Sequence, residues 1–291
     1  MVKQRSKTYA VSRFQHKHLL LGCTADSATL LAVQASTAVE VLAWVAVDAL
    51  QHGSVTALCG ALPDLKPENP VATPASLRVT VDDSLARSFV VTPPRGAQSL
   101  RELRASAAAR FAALYGDPTE QWLLAADWQV TVPFIVCALP RQLFQALESL
   151  DRTNDWRLDS VKPALVRAWN CLHASIPANG WLVVGFGQTL TLVHTRNEQA
   201  AGLRTLRLPG APDLSELATL IEQERLRMPV PAEAGDRQSL LWTGAADWLP
   251  AAPTIAGLAS RVEHLRAPAV PTAELTEPCQ IACHLAFAGR R

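Results

Sequence analysis

The segment Trp181–Val193, WLVVGFGQTLTLV, decides how this chain is read. It runs apolar into Gly185-Phe186-Gly187, turns polar at Gln188 and Thr189, and then alternates back to apolar. That is the pattern of a strand, a tight turn and a second strand. The segment His18–Val33, HLLLGCTADSATLLAV, follows the same course, with Gly22 falling on Gly185 and Thr24 on Gly187. In each copy a third apolar strand follows another turn, VEVLAWVAVD after the first and GLRTLRLPG after the second. A weak repeat about 160 residues apart is what duplication of a β-β-β-α lobe leaves behind, so two such lobes are expected to face each other across a cleft.

The bulk numbers suit that plan. A chain of 291 residues with 49% apolar residues can fill two ordinary cores, and Lys+Arg 27 against Asp+Glu 26 implies neither nucleic acid nor an acidic partner. Positive charge gathers only at the start, in Lys3, Arg5, Lys7, Arg13 and Lys17, which read as a solvated basic arm or as an arm touching anionic lipid. The apolar Leu19–Leu21 that follows is too short for a signal segment. No stretch is long enough to span a membrane, since the most apolar one, AVEVLAWVAVDAL, carries Glu40 and Asp48 and alternates like a strand. The six cysteines are dispersed and read as reduced and mostly buried. Cys279, Cys283 and His284 could meet on a helix, but without a second cluster they make a weak metal site, and none is expected.

Between the repeats, Pro63, Pro67, Pro70 and Pro74 mark a surface link. A β-α-β-α unit follows over 77–150. SLRVTVD and ARSFVVTPP form strands around a turn at Asp82-Asp83-Ser84. SLRELRASAAARFAALYG forms a helix ending at Gly116, QWLLAADWQ and VTVPFIVCAL form strands, and Pro140 opens a second helix. A short strand at 156–158 leads into a helix over 163–173. After the second repeat come the helix PDLSELATLIEQERLR, the strand SLLWTGAADWLP, a helix over Ile255–Leu265, and a C-terminal helix in PCQIACHLAFAGRR. Trp122, Trp128, Trp156, Trp169 and Trp181 read as core or cleft packing rather than a binding stripe, and no Ser-His-Asp or Cys-His constellation is present.

The paired hairpins resemble those of the actin-like ATPase superfold, where each lobe opens on a hairpin that holds phosphate through a hydrophobic-Asp-x-Gly motif. LLWTGAA at Leu240–Ala246, with Gly244 and Ala245, resembles that superfold's adenosine motif. Within it the chain resembles the pilus assembly protein PilM family and its relative, the cytoplasmic domain of the type II secretion protein GspL. The resemblance spans nearly the whole chain and includes the inserted unit, RLDSVKPALVRAWN, and the ending CHLAFAGRR, where His284 stands in place of the family's glycine. It implies an α/β, actin-like (RNase H-like) two-lobed fold: a first lobe at 1–76, an inserted subdomain at 77–150, a return at 151–177 and a second lobe at 178–291.

Active members need the hairpin aspartates to direct Mg²⁺ against the phosphates. Gly22 and Gly185 stand at both places, Thr24 replaces a room-making glycine, and Asp26 comes two residues late. The cleft is therefore expected to be degenerate, with Gly22, Thr24, Gly185, Gly187, Gln188, Thr189, Gly244 and Ala245 as its vestige. Gly185 and Gly187 would still admit an anion to backbone amides, and Gln188 and Thr189 could donate to it. The same glycines equally serve a hairpin that only needs positive φ. No cofactor and no ATP hydrolysis are expected. The resemblance implies a cytoplasmic, inner-membrane-associated scaffold of type IV pilus assembly or a related secretion system, holding the cytoplasmic tail of a PilN-like membrane protein and meeting other platform proteins. Its rivals are a working actin-like ATPase or nucleotide-dependent switch, and a GspL-like platform component.

Overall fold

Residues 18–33, 39–48, 51, 53–68, 71, 75–227, 238–265 and 275–290 are described by the computed structural model. The basic arm, the turn expected at 35–38, and Pro70 and Pro74 lie outside the described residues.

One strand order is used twice. β1 (His18–Cys23), β2 (Ser27–Val33) and β3 (Val39–Ala46) form an antiparallel meander, which β4 (Ala75–Val81) and β8 (Trp156–Pro163) extend in parallel on the β1 side. In the second sheet, β9 (Gly180–Phe186), β10 (Thr189–Arg196) and β11 (Gln199–Arg207) form the meander, and β12 (Ser239–Gly244) and β14 (Leu258–His264) are the parallel strands. The repeat seen between the hairpins thus extends through five strands of each sheet. The central strands β1 and β9 are buried on both faces, which explains why they read as unbroken apolar runs rather than alternating ones.

Each sheet is covered on both faces, and two helices are exchanged between lobes. On its outer face the first sheet packs α1 (Val55–Ala61) and α3 (Arg141–Thr153) through Leu58, Leu143, Leu147 and Leu150. The second packs α5 (Leu214–Arg227) through Leu217 and Ile221. Between the sheets, α4 (Ala164–Leu172) follows the first lobe in the chain yet packs Leu165 and Ala168 against Leu182 and Val184 of the second sheet. Conversely, α6 (Glu277–Ala288) follows the second lobe and lays Cys279, Cys283 and Ala286 on Leu20 and Leu31 of the first sheet. This exchange places a helix backbone directly over the first hairpin.

A third sheet, in the order β5 (Arg87–Val91), β7 (Phe134–Pro140), β6 (Trp122–Ala126), carries α2 (Leu100–Tyr115) on one face. Its core joins Phe89, Phe111 and Phe134. Helix α2 starts in a reciprocal cap between Ser99 and Glu102 and stops where Gly116 adopts a φ of 69°. At the two ends of segment 77–150, β4 and α3 belong to the layers of the first sheet.

The expected helix over Ile255–Leu265 is instead a hairpin. β13 (Thr254–Ile255) turns through Ala256 and Gly257, with φ of 50° and 74°, into β14. The spacing of Ile255, Leu258, Val262 and Leu265 mimics a helix face, but two consecutive positive φ values suit a two-residue hairpin turn, and the free edge of β12 supplies a full parallel ladder. Tertiary pairing overrides the local pattern.

Candidate functional site

The two hairpins bring the expected cleft residues to the space between the sheets, and protein atoms lie against each glycine. Gly22 sits under α6: a Cβ there would overlap the carbonyl oxygen of Ala282 and lie 2.5 Å from the amide nitrogen of Ala286. A Cβ on Gly185 would lie 2.7 Å from the ring of Trp248, and one on Gly187 2.7 Å from Cδ1 of Ile281. On Gly244 it would overlap the carbonyl oxygen of Gly185. Gly187, at φ 53°, and Gly244, at φ 125°, also need their backbone conformation, whereas Gly22 and Gly185 have no positive φ. At those two positions glycine serves close approach of a helix and of an indole ring, so turn geometry alone does not account for it.

Hydrogen bonds close the same space. The Trp248 indole donates from Nε1 to the carbonyl of Gly187 at 2.7 Å, and the amides of Ala245 and Ala246 donate to the carbonyl of Gly185 at 3.0 and 3.3 Å. The Thr24 hydroxyl is engaged within its own hairpin, 2.9 Å from Oγ of Ser27 and accepting from the amide of Asp26 at 3.2 Å. Ser27 and Thr29 in turn donate to the carbonyls of Pro278 and Cys279 in the first turn of α6, at 2.7 and 2.9 Å. Asp26 turns away from the hairpin, as its late position suggested. One oxygen accepts from the amide of Gly53 at 2.7 Å, and the other lies 3.8 Å from Arg207 of the second lobe. Gln188 is exposed, and its backbone carbonyl accepts from the amide of Leu208.

Thr189 leads to the turn at Asp82-Asp83-Ser84. Its Oγ1 donates to Oδ1 of Asp82 at 2.8 Å, across the lobe boundary. Asp82 and Asp83 follow β4 and are both 3% exposed. Asp82 also accepts from the amide of Ser84 at 2.9 Å, and Oδ1 of Asp83 accepts from the amide of Leu165 at 2.9 Å, in the first turn of α4. The Thr191 hydroxyl supports Asp83 from the second hairpin. Burial pushes both carboxyls up, Asp83 to about 7, against the opposing pull of these donors; the neighbouring Asp82 raises Asp83 further. The signal available in the sequence was an Asp-Asp pair closing an apolar strand; what could not be read was the second hairpin arriving opposite it. Trp248 and Ile281 gave no signal at all, because their roles depend on chain segments that meet only in the fold.

These features define a class: two RNase H-like sheets of one topology, hairpin facing hairpin, with helices exchanged between lobes and a third subdomain inserted after β4. The chain has the actin-like fold. No protein-family model matches its sequence, and no curated protein matches it in sequence. Among solved structures it is similar to the PilM-PilN type IV pilus biogenesis complex, with TM-score 0.57, 15% identity, and coverage of 95% of this chain and 99% of that one. It is also similar to the cytoplasmic domain of EpsL, an inner membrane component of the Vibrio cholerae type II secretion system, with TM-score 0.52, 15% identity, and coverage of 93% and 94%. A Bacteroides thetaiotaomicron protein of actin-like ATPase fold and unknown function matches with TM-score 0.52, 7% identity, and coverage of 82% and 87%. No helix among the described residues is long and apolar enough to cross a membrane.

Proposed function

We propose that this protein is a non-catalytic scaffold of a type IV pilus or type II secretion platform, peripheral at the inner face of the inner membrane, and that it holds the cytoplasmic tail of a PilN-like membrane protein. The observation that carries the reading is similarity over 95% of the chain to PilM in a structure that contains PilN, together with a hairpin cleft lined by Trp248, Ile281 and the α6 backbone. A glycine packed against an indole or a helix carbonyl is a packing element, and a glycine in place of each hairpin's aspartate offers no hard ligand for Mg²⁺ there. The cleft then serves as a rigid core, and partner recognition falls to the outer surfaces. Exposed strand edges or grooves of the lobes and the insert can capture an extended tail by strand addition.

One observation favours the rival ATPase reading: the Asp82-Asp83 pair stands against the second hairpin through Thr189. Two measurements separate the readings. Calorimetric titration with the cytoplasmic tail peptide of a PilN-like protein is expected to show micromolar binding, and no heat at high micromolar peptide would refute the scaffold. ATP turnover is expected to be absent with and without Mg²⁺. Mg-dependent turnover that disappears in both Asp82→Asn and Thr189→Ala would establish the rival.

A further inference from the structure

Away from the hairpins, Arg167 on α4 is a guanidinium 6% exposed, with no carboxylate beside it among the described residues. Its Nη2 donates to the carbonyl of Val79 at 3.3 Å and to Oγ of Ser160 at 2.9 Å, but among the described residues its Nε has no hydrogen-bond partner. The fully buried hydroxyl of Thr80 is likewise without a partner. Both lie over the strand pair β4–β8, where the ladder sets Arg78 beside Ser160 and Thr80 beside Lys162. Register partners in a parallel pair project to one face, so Arg78, Thr80, Ser160 and Lys162 form a two-by-two patch with Arg167 laid across it. β8 is the edge strand of its sheet, and within the patch Arg78 and Lys162 are part-exposed while Thr80 and Arg167 are buried beneath them.

Among the described residues, charge on this patch is uncompensated. Asp159, 4.0 Å from Nε of Arg78, is the carboxylate at hand, and Arg157 already holds it at 2.8 Å. Burial, then the charge of Arg78, pulls the Arg167 guanidinium down to about 10, and burial with Arg167 and Arg78 pulls Lys162 down as well. The end of α6 adds only a partial negative charge: Gly289 approaches Thr80 and Arg167, yet the carbonyls of Ala286 and Phe287 are taken by the amides of Gly289 and Arg290. Cations that repel one another and have idle donors are stabilised by an anion with several acceptor oxygens.

We propose that the patch formed by Arg78, Thr80, Lys162 and Arg167 is a phosphate-binding site. The planar fork of arginine with an ammonium and a hydroxyl offers more donors than the two oxygens of a carboxylate can use, and matches a tetrahedral oxyanion. The phosphate is either free or carried on a lipid headgroup. This site is independent of the scaffold reading, and each can fail without the other.

The test is thermal unfolding and calorimetry of the whole chain with inorganic phosphate, against sodium chloride of matched ionic strength. Phosphate is expected to raise Tm beyond the chloride control. Because Arg167→Gln could disrupt the core, the informative variants are Lys162→Gln and Arg78→Gln at the open rim, each expected to weaken phosphate about tenfold, the effect of one charge-assisted hydrogen bond. Lys66→Gln, an exposed lysine elsewhere, is expected to change nothing. Sedimentation with phosphatidylglycerol vesicles against phosphatidylcholine vesicles identifies the source: capture on the former that Lys162→Gln removes marks a headgroup, whereas phosphate binding without capture marks a free anion. No stabilisation beyond chloride, a phosphate affinity unchanged from the parent in both rim variants, or binding of a glutamate-rich peptide in place of phosphate would each overturn the proposal.

Discussion

Gly22→Ala separates a phosphate glycine from a packing glycine. Gly22 has an ordinary φ, so alanine adds no backbone strain, and the added methyl acts only through what it meets. It meets helix backbone: the Ala282 carbonyl oxygen, overlapped outright, and the Ala286 nitrogen at 2.5 Å. Restoring the 3.4 Å of ordinary contact to that nitrogen alone requires α6 to retreat by about 1 Å, the overlapped oxygen requires more, and backbone cannot rotate away as a long side chain would. Such a retreat stretches the bonds from Ser27 and Thr29 to the carbonyls of Pro278 and Cys279, and it loosens Cys279, Cys283 and Ala286 from Leu20 and Leu31. Overpacking of about 1–3 kcal/mol and roughly 1 kcal/mol for each weakened hydrogen bond give a loss of about 3–5 kcal/mol. At roughly 2–3 °C per kcal/mol for a chain of this size, Tm should fall by roughly 6–15 °C. Scanning calorimetry without any nucleotide is the assay, with Gly210→Ala, where nothing lies within 4 Å, as the control. If Gly22→Ala melts with the parent while its nucleotide binding changes, the packing account of this hairpin is refuted.

Three further outcomes rest on individual groups. The folded pKa of Asp83 lies near 7, above the usual 3.8, so the folded chain holds a proton that the unfolded chain has released between those values. Stability should therefore fall as pH rises from about 4 to 7, by a few kcal/mol at roughly 1.4 kcal/mol per unit, and Asp83→Asn should make urea midpoints measured across that window less steep, leaving the share of Asp82. Thr189→Val keeps the shape but removes the donor to buried Asp82, which should cost about 1–3 kcal/mol in urea unfolding and raise that carboxyl further; no loss would show that the bond across the lobes contributes nothing. Arg87 pairs with Asp117 at 2.6 Å and lies over the rings of Tyr115 and Trp122, so Arg87→Ala should speed proteolysis of the inserted sheet, and an unchanged cleavage rate would count against its role there.

The sequence by itself determined the architecture, because strand pattern is a local property. Two apolar runs broken at Gly22 and at Gly185 disclosed the repeat, and the amphipathic spacing of Leu103, Ala107 and Phe111 disclosed α2. It failed at Ile255–Leu265, where helical spacing was overruled by the open edge of β12. It also determined which hairpin carboxylates are absent, since absence of a side chain is visible in a string of letters. What occupies their surroundings was decided by tertiary structure alone. Gly22 meets α6 across some 260 residues of chain through the exchange of helices, Asp82 meets Thr189 through the facing of two lobes, and Gly185 meets Trp248 through the parallel pairing of β9 and β12 within one lobe. A glycine records that something comes close; only the fold says that here it is a helix, an indole ring or a carbonyl.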